Sequence, residues 1–369
     1  MKRKMHLTPI MRRLSFLALI WVVLHLTSPG AHAQRVAKYG ADFLAGGVGA
    51  RALAMGGAHI AISDDVYSGF WNPAGLVGVT SKEASYMHAE RFAGVVSFDY
   101  AAYAMPFSER SVLAVSLIRS GVNDIKNTLD AWDAERNQPK PDPGSSITTF
   151  SAADWALMIS YGKRIRSGFS VGATSKIIRR NIGDFASAWG YSMDVGVRWQ
   201  TGSWLLGANL QDVTTMLQSW SVNSGSLTNL RDVFGDDLPE GGTEIVLPVL
   251  RLGSARSLNV GTGTLLVSLD ADLAFDGYTT NSISFGDTSV HPRLGVEYAY
   301  ADVVFLRGGI NRVLVLKDDG LDLTPSLGAG FKLGAAEVDY GFGDFAGLVS
   351  DLGFSHRISV KYRFDKASQ

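Results

Sequence analysis

The feature that most limits what this chain can fold into is an alternation of apolar and polar side chains that recurs along most of its length. Near the C-terminus, Phe354, His356, Ile358, Val360, Tyr362 and Phe364 fall on one face, and Ser355, Arg357, Ser359, Lys361 and Arg363 fall on the other. A period of two is the signature of a strand whose faces meet different surroundings. The pattern repeats: Trp155, Leu157, Ile159 and Tyr161; Trp189, Tyr191, Met193, Val195, Val197 and Trp199; Leu265, Val267, Leu269, Ala271, Leu273 and Phe275; Leu294, Val296, Tyr298 and Tyr300; Ala336, Val338, Tyr340 and Phe342. Tryptophan and tyrosine sit near the ends of several apolar rows, as aromatic girdles at membrane interfaces do.

About fourteen such segments span 83–91, 94–106, 111–120, 151–163, 168–180, 187–200, 203–211, 246–254, 260–275, 289–300, 303–312, 323–333, 335–342 and 352–364, an even number as bacterial single-chain barrels require. The connections alternate in length. Turns at 107–110, 164–167, 201–202, 255–259, 301–302 and 334 are short. Connections at 121–150, 212–245, 276–288, 313–322 and 343–351 are longer, while 92–93 and 181–186 break the trend. Short turns on one side and mostly long loops on the other are the pattern of an outer-membrane barrel, and a soluble β-sandwich has no reason for it. The expected fold class is therefore all-β, an antiparallel transmembrane β-barrel of about 14 strands.

The first residues agree. Leu14 to Leu26 is apolar for about 13 residues, short of the ~20 that a spanning helix needs. Arg12 and Arg13 precede it, and Ala31-His32-Ala33 follows as a small-x-small cleavage site, which together read as a secretory signal peptide over residues 1–33. Removing it leaves 29 basic against 35 acidic residues, a formal charge of −6 that argues against nucleic acid as a partner. The absence of cysteine excludes both a disulfide framework and a lipid-modified cysteine. The organisation expected is a signal peptide (1–33), an N-terminal plug or hatch segment in the lumen (34–82), the barrel (83–364) and a short tail (365–369).

The 34–82 segment is the least strand-like part of the mature chain. Residues 37–44 suit a short helix, residues 58–62 a short strand or helical turn, and Ser63-Asp64-Asp65 a cap or turn. Gly47, Gly49, Gly56 and Gly57 give it points of free backbone rotation, and Asn72-Pro73-Ala74-Gly75 forces a turn before the first strand. Gly47 to Ala52 matches G-x-G-x-x-A, but no strand precedes it and no βαβ unit surrounds it, so a nucleotide site is not indicated. Gly168-Phe169-Ser170-Val171-Gly172 matches G-x-S-x-G, yet it opens a strand where a nucleophile elbow needs a strand-to-helix turn. The plainer reading is a small inward row. His88 and Glu90 share a strand face without a third metal ligand. No catalytic residue, metal or cofactor is expected, and the chain does not read as an enzyme.

Asp99, Lys176, Arg180, Asp194, Arg198, Asp270, Asp272, Arg293, Glu297, Arg307, Lys332, Glu337, Asp339, Arg357 and Lys361 fall on the expected inward rows. Mixed signs suit a paired network that solvates the lumen and anchors a plug better than an ion-selectivity ring. The 212–245 loop carries Met216, Leu217 and Trp220, candidate outer-loop contacts if they are exposed.

Residues 50–76, GARALAMGGAHIAISDDVYSGFWNPAGL with the glycine before them, resemble the N-terminal segment of the PorV/PorQ family of outer-membrane proteins. The Asn72-Pro73-Ala74-Gly75 turn resembles the hatch of the wider FadL-like family. The resemblance implies a Gram-negative outer membrane, contact with its lipids, and a role in type IX secretion with secreted partners that carry C-terminal sorting domains. Its alternative implication is a channel for hydrophobic small molecules such as long-chain fatty acids.

Overall fold

In the computed structural model the described residues are 35–36, 42–133, 136, 138–230, 241–275, 283–285, 288–316, 320–344 and 354–364. The expected signal peptide, the 365–369 tail and residues 37–41 of the expected first helix lie outside them.

Fourteen strands form one antiparallel sheet: β1 (Glu83–Arg91), β2 (Val96–Ser108), β3 (Ser111–Asn127), β4 (Thr148–Arg166), β5 (Phe169–Ile182), β6 (Ala186–Thr201), β7 (Trp204–Gln211, continued by Met216–Val222), β8 (Thr243–Val246, continued by Val249–Val260), β9 (Gly263–Ala274), β10 (Thr288–Tyr300), β11 (Val304–Leu316), β12 (Gly320–Leu333), β13 (Ala336–Asp344) and β14 (Phe354–Arg363). Each pairs with the next, and β14 pairs back to β1 from Glu83↔Arg363 to Glu90↔His356. That last ladder closes the barrel and leaves no sheet edge, the condition under which strands cross a bilayer. Connections are short at one end, for example 167–168, 261–262 and 334–335, and mostly long at the other.

Alternation sorts the side chains as the sequence implies. On β14, Ser355, Arg357, Ser359 and Lys361 are buried inside while Phe354, His356, Ile358 and Val360 face out. Asp99 is a correction. On β2 the inward row is Phe98, Tyr100, Ala102 and Ala104, so Asp99 faces outward. It is satisfied there by His88 Nδ1 and the Tyr86 hydroxyl, each at 2.8 Å, and by Arg119 at 3.7 Å. The two aromatic residues face the lumen rather than lipid because apolar residues of the N-terminal segment cover them.

A second correction concerns 212–245. Between Leu210↔Val195 and Leu217↔Tyr191, β7 spends three more residues than β6, after which pairing resumes. Asp212 and Thr215, both at positive φ, turn the extra residues. Asp212 swings inward, its N–H donating to Asp194 Oδ1 at 2.8 Å. Lys176 Nζ then bridges Asp212 (2.6 Å) and Asp194 (2.7 Å), and the Ser192 hydroxyl donates to Asp212 at 2.6 Å. Lys176 is 1% exposed, so its charge is held by this geometry alone.

Truncating one member of such a buried cluster strands the rest, at a cost of about 3–5 kcal/mol. Lys176→Met is expected to lower the urea midpoint of the heat-modifiable barrel in detergent. Adding Asp194→Asn and Asp212→Asn should recover most of the loss; no recovery would show that the cluster is not what pins the β7 break.

Candidate functional site in the barrel lumen

The interior is occupied by the described part of the N-terminal segment, residues 42–82. It holds two short helices, α1 (Ala50–Ala54) and α2 (Ser68–Trp71), and 3-10 turns at Asp42–Leu44 and Pro73–Gly78. Residues 58–62 form turns, neither strand nor helix. Val48, Ala50, Ala54, Met55, Ile60, Ala74 and Leu76 are fully buried.

The segment meets the wall where strands carry inward glycines. Gly162, Gly172 and Gly196 are directly opposite one another on β4, β5 and β6. A Cβ on Gly172 would lie 2.3 Å from the carbonyl carbon of Pro73, and one on Gly196 would lie 2.2 Å from Asn72 Oδ1. The same occurs at Gly207↔Gly253 beneath Ile60 and Ala61, at Gly295↔Gly309 beneath Met55 and Gly56, and at Gly328↔Gly341 beneath α1. In a strand interior glycine marks close approach of another backbone. The sequence placed Gly172 on a small inward row but not as a seat for the segment's backbone; inward parity of mid-strand glycines on neighbouring strands is the signal that finds the seats.

The expected turn residues sit at this contact. Asn72 donates from Nδ2 to Ile60 O and Val197 O, each at 3.0 Å, and its Oδ1 accepts the Ala74 N–H at 3.2 Å, capping Pro73–Gly78. Gly75 passes so near Ser63 that a Cβ would lie 2.0 Å from its carbonyl oxygen. Gly47, Gly49, Gly56 and Gly57 all have positive φ. At Gly47 a Cβ would also strike the Trp71 ring at 2.5 Å. The nucleotide-like stretch is thus packed shut, and a 3-10 turn at Asp42–Leu44, not a strand, leads into α1. In the G-x-S-x-G stretch, Ser170 donates to Ala74 O at 2.8 Å from within β5, a structural bond.

The wall facing the segment has two characters. From β8 to β14 it is charged and paired. Arg51 makes a two-pronged bond to Glu297, both arms 2.8 Å; Arg307 joins Glu297 and Asp339 at 2.6 Å each; Arg293 pairs with Asp272 at 2.7 Å and Lys361 with Asp65 at 2.8 Å. Asp270 accepts the Ile60 N–H at 2.8 Å, and Arg357 reaches the carbonyls of Gly46, Gly47 and Gly49. A cavity of about 640 Å³ opens beside these groups at the short-turn end, lined among others by Arg51, Asp64, Glu297, Asp302, Lys332 and Lys361. Both signs alternate within bonding distance, so the arrangement anchors the segment and makes no ring of one sign.

From β1 to β7 the wall carries an apolar patch toward the long-loop end, interrupted on β4–β7 by the buried Lys176–Asp194–Asp212 cluster and the Arg180–Asp154 pair. Met87, Ala89, Phe98, Tyr100, Ile118, Ala156, Met158, Ile178 and Met216 form one buried cluster with Phe43, Leu44, Val48, Phe70 and Trp71 of the segment. Met216 therefore faces the lumen from β7. Leu217 faces outward, and Trp220 bonds Glu244 through Nε1 at 2.9 Å. None of the three lies in a free loop, because the β7 and β8 continuations absorb them. His88 faces outward, and no group of three or more metal-ligating side chains occurs among the described residues.

The geometry defines a fourteen-stranded transmembrane barrel of outer-membrane type, filled from its own N-terminus. Solved structures place that class more closely. The chain is similar to the Pseudomonas putida toluene transporter TodX (14% identity, TM-score 0.56, 86% of this chain and 97% of that one). It is similar also to the Ralstonia pickettii toluene transporter TbuX (14%, 0.54, 88% and 100%) and to a Pseudomonas aeruginosa FadL homologue (14%, 0.52, 86% and 98%). No family model and no curated protein matches by sequence. At this identity the likeness is one of fold alone.

Two outcomes follow. Gly172→Val places three carbons against the Pro73 backbone, and overpacking of this kind costs about 1–3 kcal/mol; limited proteolysis should then cut within residues 42–82 while the barrel keeps its heat-modifiable migration. Burial, reinforced by Arg51, pushes the His59 imidazole down to about 3. An unfolded chain takes up that proton near pH 6.5, so the His59 contribution to stability falls as pH drops from about 6.5 toward 3. His59→Leu should flatten that limb of the stability profile relative to the parent; an unchanged slope would assign the limb to other groups.

Proposed function

We propose that the protein is a channel of the Gram-negative outer membrane that admits hydrophobic small molecules, with residues 34–82 as its plug. The observation that carries this is the apolar patch of the lumen wall from Met87 to Met216, which lies toward the long-loop end and packs against Phe43, Leu44 and Trp71. An apolar solute that reaches this patch meets side chains that match it, and the charged groups beside it are already paired with one another. The fold neighbours that are named toluene transporters support the same class of cargo. The polar cavity at the opposite end gives the inner side an aqueous character. None of this calls for catalysis or a cofactor.

The type IX secretion role implied by the PorV/PorQ resemblance has less behind it. Its candidate contacts Met216, Leu217 and Trp220 belong to a strand, and Met216 is wholly inside.

Uptake of radiolabelled toluene and of a long-chain fatty acid should be measured in cells that lack other such channels. Saturable uptake above the empty-vector level is expected for at least one. Ile178→Glu puts a charge in the apolar wall and should reduce uptake about tenfold, the factor that ~1.4 kcal/mol supplies, with folded barrel still present. Background uptake of both solutes by the parent protein, or undiminished uptake by the variant, would remove the proposal.

A further inference from the structure

The outer wall holds a feature that the lumen does not explain. Register sets six outward side chains opposite one another across six strands: His88↔Asp99, Asp99↔Arg119, Arg119↔Trp155, Trp155↔Arg179 and Arg179↔Trp189. Below Arg179 the outward row of β5 is Ile177, Ser175, Ala173, Val171 and Phe169. Arginine on a lipid-facing strand is strongly disfavoured at the bilayer midplane and close to neutral at the interface. Phe169 and Arg179 are ten residues apart, as are Trp199 and Trp189 on β6. At ~3.3 Å per residue and a tilt of about 40°, that separation is roughly 25 Å along the membrane normal, the height of the apolar band. The row therefore lies at the headgroup level on the long-loop side.

Its charges are unevenly distributed. The row's carboxylate, Asp99, is on β2 and is shared among His88, Tyr86 and Arg119. Arg119 also donates to Ser97 Oγ at 3.2 Å. Among the described residues no carboxylate lies within salt-bridge distance of Arg179, whose guanidinium sits 4.9 Å from the Trp189 ring centre. Arg119 sits 5.8 Å from that of Trp155. Register places Trp155 between Arg119 and Arg179, whose strands lie about 10 Å apart. A guanidinium near an indole face gains cation–π attraction and can still donate N–H groups in pairs to phosphate oxygens. Trp155, exposed between them, offers an apolar surface with a polar tip to the boundary between headgroup and chains.

We propose that Arg119, Trp155 and Arg179 form a binding site for the phosphate-bearing headgroup of an outer-leaflet glycolipid. The site is separate from the lumen and does not depend on what the channel carries. The full-length protein would be placed in phosphatidylcholine nanodiscs containing diphosphorylated lipid A, and bound lipid counted by native mass spectrometry. The parent should retain lipid A, and Arg119→Gln with Arg179→Gln should retain at least about fivefold less, since two charge-assisted contacts are lost. Lipid A stripped of phosphate should bind the parent as weakly as the double variant binds the intact lipid. Arg166→Gln, beside Phe169 at the short-turn end, should behave as the parent does. If the double variant loses heat-modifiable migration, Arg179→Gln alone serves, because it leaves no carboxylate unpaired. Equal retention by parent and variants, equal retention of the phosphate-free glycolipid, or equal loss with Arg166→Gln would overturn the proposal.

Discussion

Closure of the strand ladder is the constraint on which the rest of the structure depends. In hydrocarbon an unpaired backbone group has no water to turn to, so a sheet can cross only if its last strand finds its first. The β1–β14 pairing meets that condition. It also creates a lumen wide enough to need filling, and the chain fills it with its own N-terminal residues.

What fills the lumen is held by two kinds of force on two sides. Toward β8–β14 the bonds are directional: Arg51 on Glu297, Lys361 on Asp65, and backbone N–H groups on Asp270 and Ser326. Buried charges of this sort are stable only when their lone pairs and protons are matched, which fixes the position of the segment more sharply than it adds stability. Toward β1–β7 an apolar cluster around Met87, Phe98 and Ile118 is added to bonds such as Asn72 to Val197 O and Ser170 to Ala74 O.

Strand parity made the barrel legible in the sequence. The alternation on β14 and the Trp189–Trp199 row needed no tertiary information, since a lipid-facing strand declares its outer face by composition. Parity failed where a neighbour changed the rule. Asp99 was placed on the inward row, but His88, Tyr86 and Arg119 satisfy it outside while the N-terminal segment covers Phe98 and Tyr100. Met216 to Trp220 looked like a loop because the extra residues at the β7 break shift the alternation, and the carboxylates that stabilise the break come from other strands. The turn at Asn72 was visible because proline and glycine act locally. Its seat on Gly162, Gly172 and Gly196 was not, since inward parity shows where a glycine faces but not which backbone approaches it.

Those wall glycines have a mechanical consequence. Seats on β4, β5 and β6, on β7 and β8, on β10 and β11, and on β12 and β13 all receive the same short stretch of chain. A sheet of fourteen strands around an empty lumen would be free to flatten or breathe. Here the N-terminal residues act as an internal brace whose backbone touches opposite walls, so the cross-section of the barrel is set by the length of a peptide rather than by strand number and tilt alone.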